Sequence, residues 1–192
     1  MARTKEFDQD QALACAVVAF REHGFAGTST DALLRAMGIS RQSMYDTFGD
    51  KKQLYLAALH LYNETSVTQI IREMSAAKSP LRGIEAALLS FAKRSVKDGS
   101  LGCLGVSAVC EFGQSDEAVD AETRVLGNRL VKAFERRFAD AQALGEVPAD
   151  LDVSDAATFL ATILSGMKVA ARAGASVESL RVSARFALRG LR

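Results

Sequence analysis

Residues 28–52 read TSTDALLRAMGISRQSMYDTFGDKK, and this stretch decides the fold. Thr28, Ser29 and Thr30 offer hydroxyl caps for a short helix through Met37, Gly38 breaks it, and Ser40 caps a second short helix to about Thr47. Leu33, Met37, Ile39 and Met44 are spaced to pack the two helices together, while Gly38 supplies a turn conformation that a side chain resists. The pattern is helix-turn-helix. It leaves Arg41, Gln42, Ser43, Tyr45 and Asp46 pointing outward from the second helix, a mixture of donors and acceptors suited to phosphates and to base edges in a major groove.

Upstream, Asp8 caps a helix with Leu13, Ala16, Val17 and Phe20 on one face, which Gly24 is expected to end. Downstream, Asp50 and Gln53 open a helix that runs to about Ala77 with Leu54, Ala58, Leu61 and Tyr62 inward. Ser79-Pro80 starts another, carrying Ile84, Leu88, Phe91 and Ser95 on one face. Asp98-Gly99-Ser100 breaks the pattern, and Leu101 to Phe112 then reads as a short helix, apolar all round and so expected to be buried all round. A long amphipathic helix follows from Asp116 to Leu144, and two last helices, about Ser154 to Ala173 and Ser176 to Leu191, meet at Gly174. Nine helices and no strand make the chain all-α, in keeping with 32 alanines against two prolines in 192 residues.

Composition excludes several function classes. Apolar residues at 48% and charged residues at 24% are ordinary globular values, so disorder is not expected. The longest unbroken apolar run, Ala12 to Phe20, is far short of a bilayer span, and no cleavable leader is visible, so a cytoplasmic protein without a membrane partner is expected. His23 and His60 stand in no metal or triad spacing and no phosphate-binding glycine loop is present, which argues against an enzyme, a bound metal or a cofactor. A net charge of +1 does not by itself announce nucleic acid. Placement does: residues 1–50 hold five basic against seven acidic side chains, whereas from Arg35 to Gln53 four basic residues (Arg35, Arg41, Lys51, Lys52) oppose only Asp46 and Asp50.

The groups Gly24-Phe25, Thr28-Ser29-Thr30, Gly38-Ile39-Ser40-Arg41, Met44-Tyr45 and Phe48-Gly49-Asp50-Lys51, followed by Leu54-Tyr55 and Ala57-Ala58-Leu59, resemble the tetracycline-repressor (TetR) family of bacterial one-component transcription regulators. The motif spans roughly Phe7 to Tyr62, and only the nine-helix plan covers the remainder. The resemblance implies a three-helix DNA-binding head over residues 1–54, and a ligand-binding and dimerisation domain over residues 55–192. It also implies a ligand-responsive repressor that binds a near-palindromic double-stranded DNA operator as a homodimer. By the same resemblance Thr30, Tyr45 and Lys51 touch phosphates and Gln42 and Ser43 lie nearest the bases, with Thr28 and Arg41 completing the expected DNA contacts. Two positions depart from the family pattern. Leu34 stands where a small alanine is common, and Asp46 where a histidine or neutral residue is; an acid there can read a cytosine amine, cap locally or point away.

Behind the head, Phe91, Ser107, Cys110, Leu130 and Phe134 fall on inward helix faces and are the expected contacts of an apolar or weakly polar small-molecule effector. Phe159, Leu160, Ile163, Leu164 and Met167, with Val177, Leu180, Ala184, Ala187, Leu188 and Leu191, supply more apolar face than one small core needs. They predict a homodimer through the last two helices, with Gly166, Ala170 and Ala171 permitting close approach. Two other modes of control stay open: a protein partner in place of a ligand, or a thiol sensor of oxidants or electrophiles through Cys103 or Cys110. Those two cysteines, about 10 Å apart along a helix, are too far separated to pair.

Overall fold

The computed structural model describes residues 7–98 and 101–191; the charged first six residues and the Gly99-Ser100 break lie outside them. Among the described residues the chain is helical, in the order α1 (Gln9–Gly27), α2 (Thr30–Met37), α3 (Arg41–Phe48), α4 (Lys51–Ser75), α5 (Pro80–Lys97), α6 (Leu104–Phe112), α7 (Glu117–Ala143), α8 (Val153–Arg172) and α9 (Val177–Arg189). Eight of these helices begin at an Asp or Ser whose side chain accepts a backbone N–H of the first turn. Each such cap is worth about 1 kcal/mol. The exception is α6, where Cys103 occupies the N-cap position and makes no capping bond.

Gly24 breaks the first helix as expected: it holds the non-helical φ 71° and ψ −179°, and beyond this kink one further turn, counted with α1, runs to Gly27. The kink leaves backbone N–H groups without helical acceptors, and the Glu111 carboxylate takes them, at 3.2 Å from Phe25 N–H and 3.1 Å from Ala26 N–H. A Cβ at residue 24 would overlap that carboxylate.

The apolar interior forms two clusters. One joins Phe20, Leu33, Met44, Leu54, Tyr55 and Leu59 of α1 to α4 with Leu104 and Ala108 of α6 and Val119 of α7. The other fills the body with Ile84, Leu88, Phe134, Phe138, Leu160, Leu164 and Leu180. Leu34 sits half-buried at the edge of the first cluster, its bulk accommodated. At the base of α4 the helices cross closely: Gly83 of α5 lies against the Met74 carbonyl, where a Cβ would not fit.

The expectation of a fully buried α6 is corrected. Only Leu104 and Ala108 are buried, and Val109 and Cys110 are exposed, because a short helix can pack on one side alone whatever its composition. The last two helices also differ from expectation. Leu160, Leu164, Met167, Leu180, Ala184, Ala187 and Leu188 are consumed by the chain's own core. The apolar side chains left outward are Phe159, Val169, Val182 and Phe186, the last 72% exposed, and the space beside Gly166 is open. By length and mean hydropathy (1.2) α8 would also suit a bilayer, although no longer apolar run than Ala12–Phe20 occurs; here one side of it packs on α7, α9 and α5.

Candidate nucleic-acid interface and interior cavity

The α2–α3 unit is built as the sequence implies. Ser29 caps α2 through Ala32 N–H at 3.1 Å, Gly38 closes it in the left-handed region (φ 65°), and Ser40 caps α3 through Ser43 N–H at 3.1 Å. Leu33 and Met44 are fully buried between the helices, and Met37 nearly so. With that side fixed, Arg41, Gln42, Tyr45 and Asp46 face outward.

Most of these polar groups already have a partner. Arg41 reaches back to Asp31 of α2 at 2.6 Å, Gln42 Nε2 donates to Asp46 Oδ1 at 2.7 Å, and the Ser43 hydroxyl lies 2.8 Å from that of Ser40. Asp46 therefore bonds locally, holding the Gln42 amide along the helix. Exposed pairs of this kind are worth less than about 1 kcal/mol, so an incoming phosphate or base edge can exchange with them. Tyr45 is 47% exposed and its hydroxyl is free to reach outward. Lys51 opens α4 with its ammonium 4.3 Å from the centre of the Phe25 ring. Thr30 stands half-buried in the first turn of α2.

Thr28 does not belong to this surface. It is fully buried, and its hydroxyl donates to the Gly24 carbonyl at 2.5 Å and to that of Ala19 at 3.4 Å. Its work is to close the kinked end of α1.

The head is fastened to α6 at both ends of that short helix. Arg21 of α1 donates to the Gly102 carbonyl at 3.1 and 3.0 Å just before α6, and Glu111 in its last turn holds the Phe25 and Ala26 N–H groups. Between them Phe20, Phe25, Tyr55 and Phe112 form an aromatic cluster with ring centres 5.0 to 6.4 Å apart. Burial pushes the Tyr55 phenol far above its ordinary range, and the nearby Glu111 charge adds to it. Lys52 sits over the Phe112 ring at 4.3 Å and pairs with Asp116, the cap of α7, whose carboxyl is held below the ordinary range mainly by that hydrogen bond.

Behind α6 lies a cavity of about 330 Å³, within the size range of small-molecule sites. Its walls come from α4, α5, α6, α7 and α8 and are mostly apolar, with Val67, Ile70, Val106, Leu126 and Leu164 among them. Of the expected effector contacts, Phe91, Cys110 and Leu130 line it. Ser107 and Phe134 do not: Ser107 lies on α6 away from the cavity walls, and Phe134 is fully buried in solid core on α7. Cys103 lines the cavity as well.

Among the polar residues in these walls, Lys168 is not singled out from the sequence and Tyr62 is read only as an inward residue. Lys168 of α8 is mostly buried, with its ammonium 4.7 Å above the Phe91 ring, and burial lowers its pKa. Tyr62 of α4 has a buried hydroxyl without a hydrogen-bond partner among the described residues, and burial drives its pKa upward. The signal for Lys168 was present: it is the one charged residue between Asp155 and Arg172 of an otherwise apolar helix.

Comparison with known proteins agrees with this architecture. Residues 12–58 match the description "Bacterial regulatory proteins, tetR family", and residues 77–187 match "Tetracyclin repressor-like, C-terminal domain". The HTH-type transcriptional repressor ComR of Escherichia coli (strain K12) is 32% identical, covering 97% of this chain and 90% of its own. The HTH-type regulator YezE of Bacillus subtilis (strain 168) is 28% identical over 94% of each. A cysteine mutant of the TetR family regulator CifR, solved in complex with 26-bp double-strand operator DNA, superposes with a TM-score of 0.89 at 31% identity over 100% of both chains. With both halves of the chain matched and relatives aligned along nearly its whole length, the chain belongs to the tetR family of bacterial regulatory proteins, DNA-binding regulators rather than enzymes.

Proposed function

We propose that the chain is a transcriptional repressor that binds a near-palindromic operator as a homodimer and releases it when a small molecule fills the cavity behind α6. The observation that carries this reading is the double fastening of α6, a helix that lines the cavity with Val106, Val109 and Cys110 and holds the head through Gly102 and Glu111. A ligand that binds the displaced position of α6 more tightly shifts the head with it, and a hundredfold change in operator affinity needs about 2.7 kcal/mol of such preference. The functional division of the reading is a head over residues 1–54 and a regulatory, dimerising body over residues 55–192. CifR's operator complex and the repressor assignment of ComR support the DNA half. The outward Phe159, Val169, Val182 and Phe186 on α8 and α9 support the dimer, since two copies of that face would make a four-helix bundle.

In this reading Gln42 and Ser43 face the bases while Thr30, Arg41, Tyr45 and Lys51 hold phosphates. Duplexes selected from a random pool should carry two inverted half-sites. Lys51→Ala should weaken binding to every sequence and flatten its salt dependence, whereas Gln42→Ala should cost about 1 to 3 kcal/mol on the selected duplex and leave random DNA unaffected. Phe186→Glu should give a monomer by sedimentation and lose the operator. A single unpaired half-site with a monomeric wild type would sink the proposal.

One observation favours a second reading of the same cavity: Cys103 and Cys110 both line it, so an electrophile entering it would meet a thiol. Mass spectrometry of the chain treated with N-ethylmaleimide, alongside operator release by the Cys103→Ser and Cys110→Ser variants, separates covalent from reversible control.

A further inference from the structure

Among the cavity's polar side chains, which include Asn63, Ser66, Thr123 and Ser165, two from facing helices lack an ordinary partner in the described residues. Lys168 makes no hydrogen bond or ion pair among the described residues; its neighbours are the Phe91 face, the Cys103 thiol, and at longer range Asp98, Arg21 and Arg94. The buried Tyr62 hydroxyl has no oxygen or nitrogen partner among them and only the weakly bonding Cys103 thiol beside it, and its ring is held by the Arg21 guanidinium 5.1 Å away. Two unsatisfied donors from α4 and α8 thus converge beside one thiol at the end of an apolar chamber. A second cavity of about 250 Å³ adjoins the first, sharing Tyr62, Ser66, Phe91 and Lys168 as walls and adding Arg21, Arg94 and Asp98. Around this junction three cations, Arg21, Arg94 and Lys168, meet two carboxylates, Asp98 and the Glu73 that pairs with Arg94.

A mostly buried ammonium without a direct ion pair is costly, and so is a buried hydroxyl with no better partner than a thiol. Both costs vanish together if the occupant brings an anionic acceptor. A neutral apolar occupant satisfies neither group, and a cationic one adds like-charge repulsion. We propose that the cavity takes a small amphipathic acid, its apolar body among Val67, Ile70, Leu126 and Leu130 and its carboxylate bonded to the Lys168 ammonium and the Tyr62 hydroxyl. The inference rests on the reading of this cavity as an effector site, and it names the chemical class of the effector.

The test uses three eight-carbon probes on the full-length chain: octanoate, 1-octanol and octylamine, with binding measured by calorimetry and operator affinity by fluorescence anisotropy. Octanoate should bind at least tenfold more tightly than octanol, and octylamine more weakly than either. Lys168→Met should erase the octanoate preference while keeping octanol binding and operator binding, which shows the cavity and fold intact; Lys168→Arg should retain the preference. Tyr62→Phe should weaken octanoate severalfold and leave octanol unchanged. Equal binding of octanoate and octanol by the wild type, a preference that survives Lys168→Met, or no octanoate binding at all would overturn the acid site. Octanoate binding as expected with operator affinity unchanged upholds the acid site and removes the effector reading. Operator release by an uncharged compound that octanoate neither mimics nor displaces does the reverse.

Discussion

α3 and α6 are nearly equal in length, eight and nine residues, and each buries one side and exposes the other. They are placed by opposite means. α3 is defined by its own neighbourhood: Ser40 caps it, Gly38 precedes it with a left-handed turn, and Met44 anchors it against Leu33. α6 has no side-chain cap, and its position is set by residues far away in the chain, Arg21 before it and the Phe25 and Ala26 backbone after it. α3 thus keeps its place through its own caps and neighbours. α6 keeps its place through ties to α1, so whatever disturbs the end of α1 reaches it.

That contrast is broken or sharpened by four substitutions. Gly24→Ala is expected to have the largest effect although it lies in neither helix. It forces a side chain into φ 71°, and its Cβ displaces the Glu111 carboxylate from the Phe25 and Ala26 N–H groups. A cost of about 2 to 3 kcal/mol should lower the midpoint of thermal unfolding by roughly 6 °C or more. Glu111→Ala in the same background should then add almost nothing, because the tie is already lost; additive losses would mean that Gly24 and Glu111 act separately. Ser40→Ala should cost about 1 kcal/mol, seen in denaturant unfolding, and weaken operator binding by loosening α3. The smallest change should run the other way. Cys103→Ser gives α6 the cap it lacks, in a backbone already extended at that residue (φ −112°, ψ 114°), and should stabilise the chain by about 0.5 to 1 kcal/mol in the same denaturant assay. If this exchange of thiol for hydroxyl stabilises nothing, the start of α6 is held wholly by Arg21 and Gly102.

The same contrast accounts for what could be read from the sequence. Caps, turn glycines and the inward stripe of α2 and α3 are local patterns, so the helix-turn-helix and its outward Arg41, Gln42 and Tyr45 were legible from residues 28–52 alone. Thr28 was misplaced because its burial follows from the kink at Gly24 folding one extra turn back over it. Periodicity separates the inward from the outward face but not a wall from a filled core, which is why Leu130 lines the cavity and Phe134, also inward on the same helix, does not. Glu111 carried no signal, since an exposed acid at the end of a short helix looks like any solvated charge until the partner it reaches is known.

The close crossing of Gly83 on the Met74 carbonyl gives the molecule a mechanical proportion. α4 and α5 touch backbone to backbone there, so the natural pivot of α4 lies at its far end, and nearly the whole 25-residue helix extends from it to Lys51. At 1.5 Å per residue that arm is about 35 Å long, so a rotation of about 3° at the crossing sweeps Lys51 through roughly 2 Å, more than a hydrogen bond tolerates. Tyr62, Val67 and Ile70 line the cavity partway along the arm, where the same rotation displaces them by less. A motion at the cavity no larger than a bond length is therefore magnified before it arrives at the Lys51 end of the helix. A substitution that adds volume at Gly83 would shift the fulcrum and change that gain without touching either site.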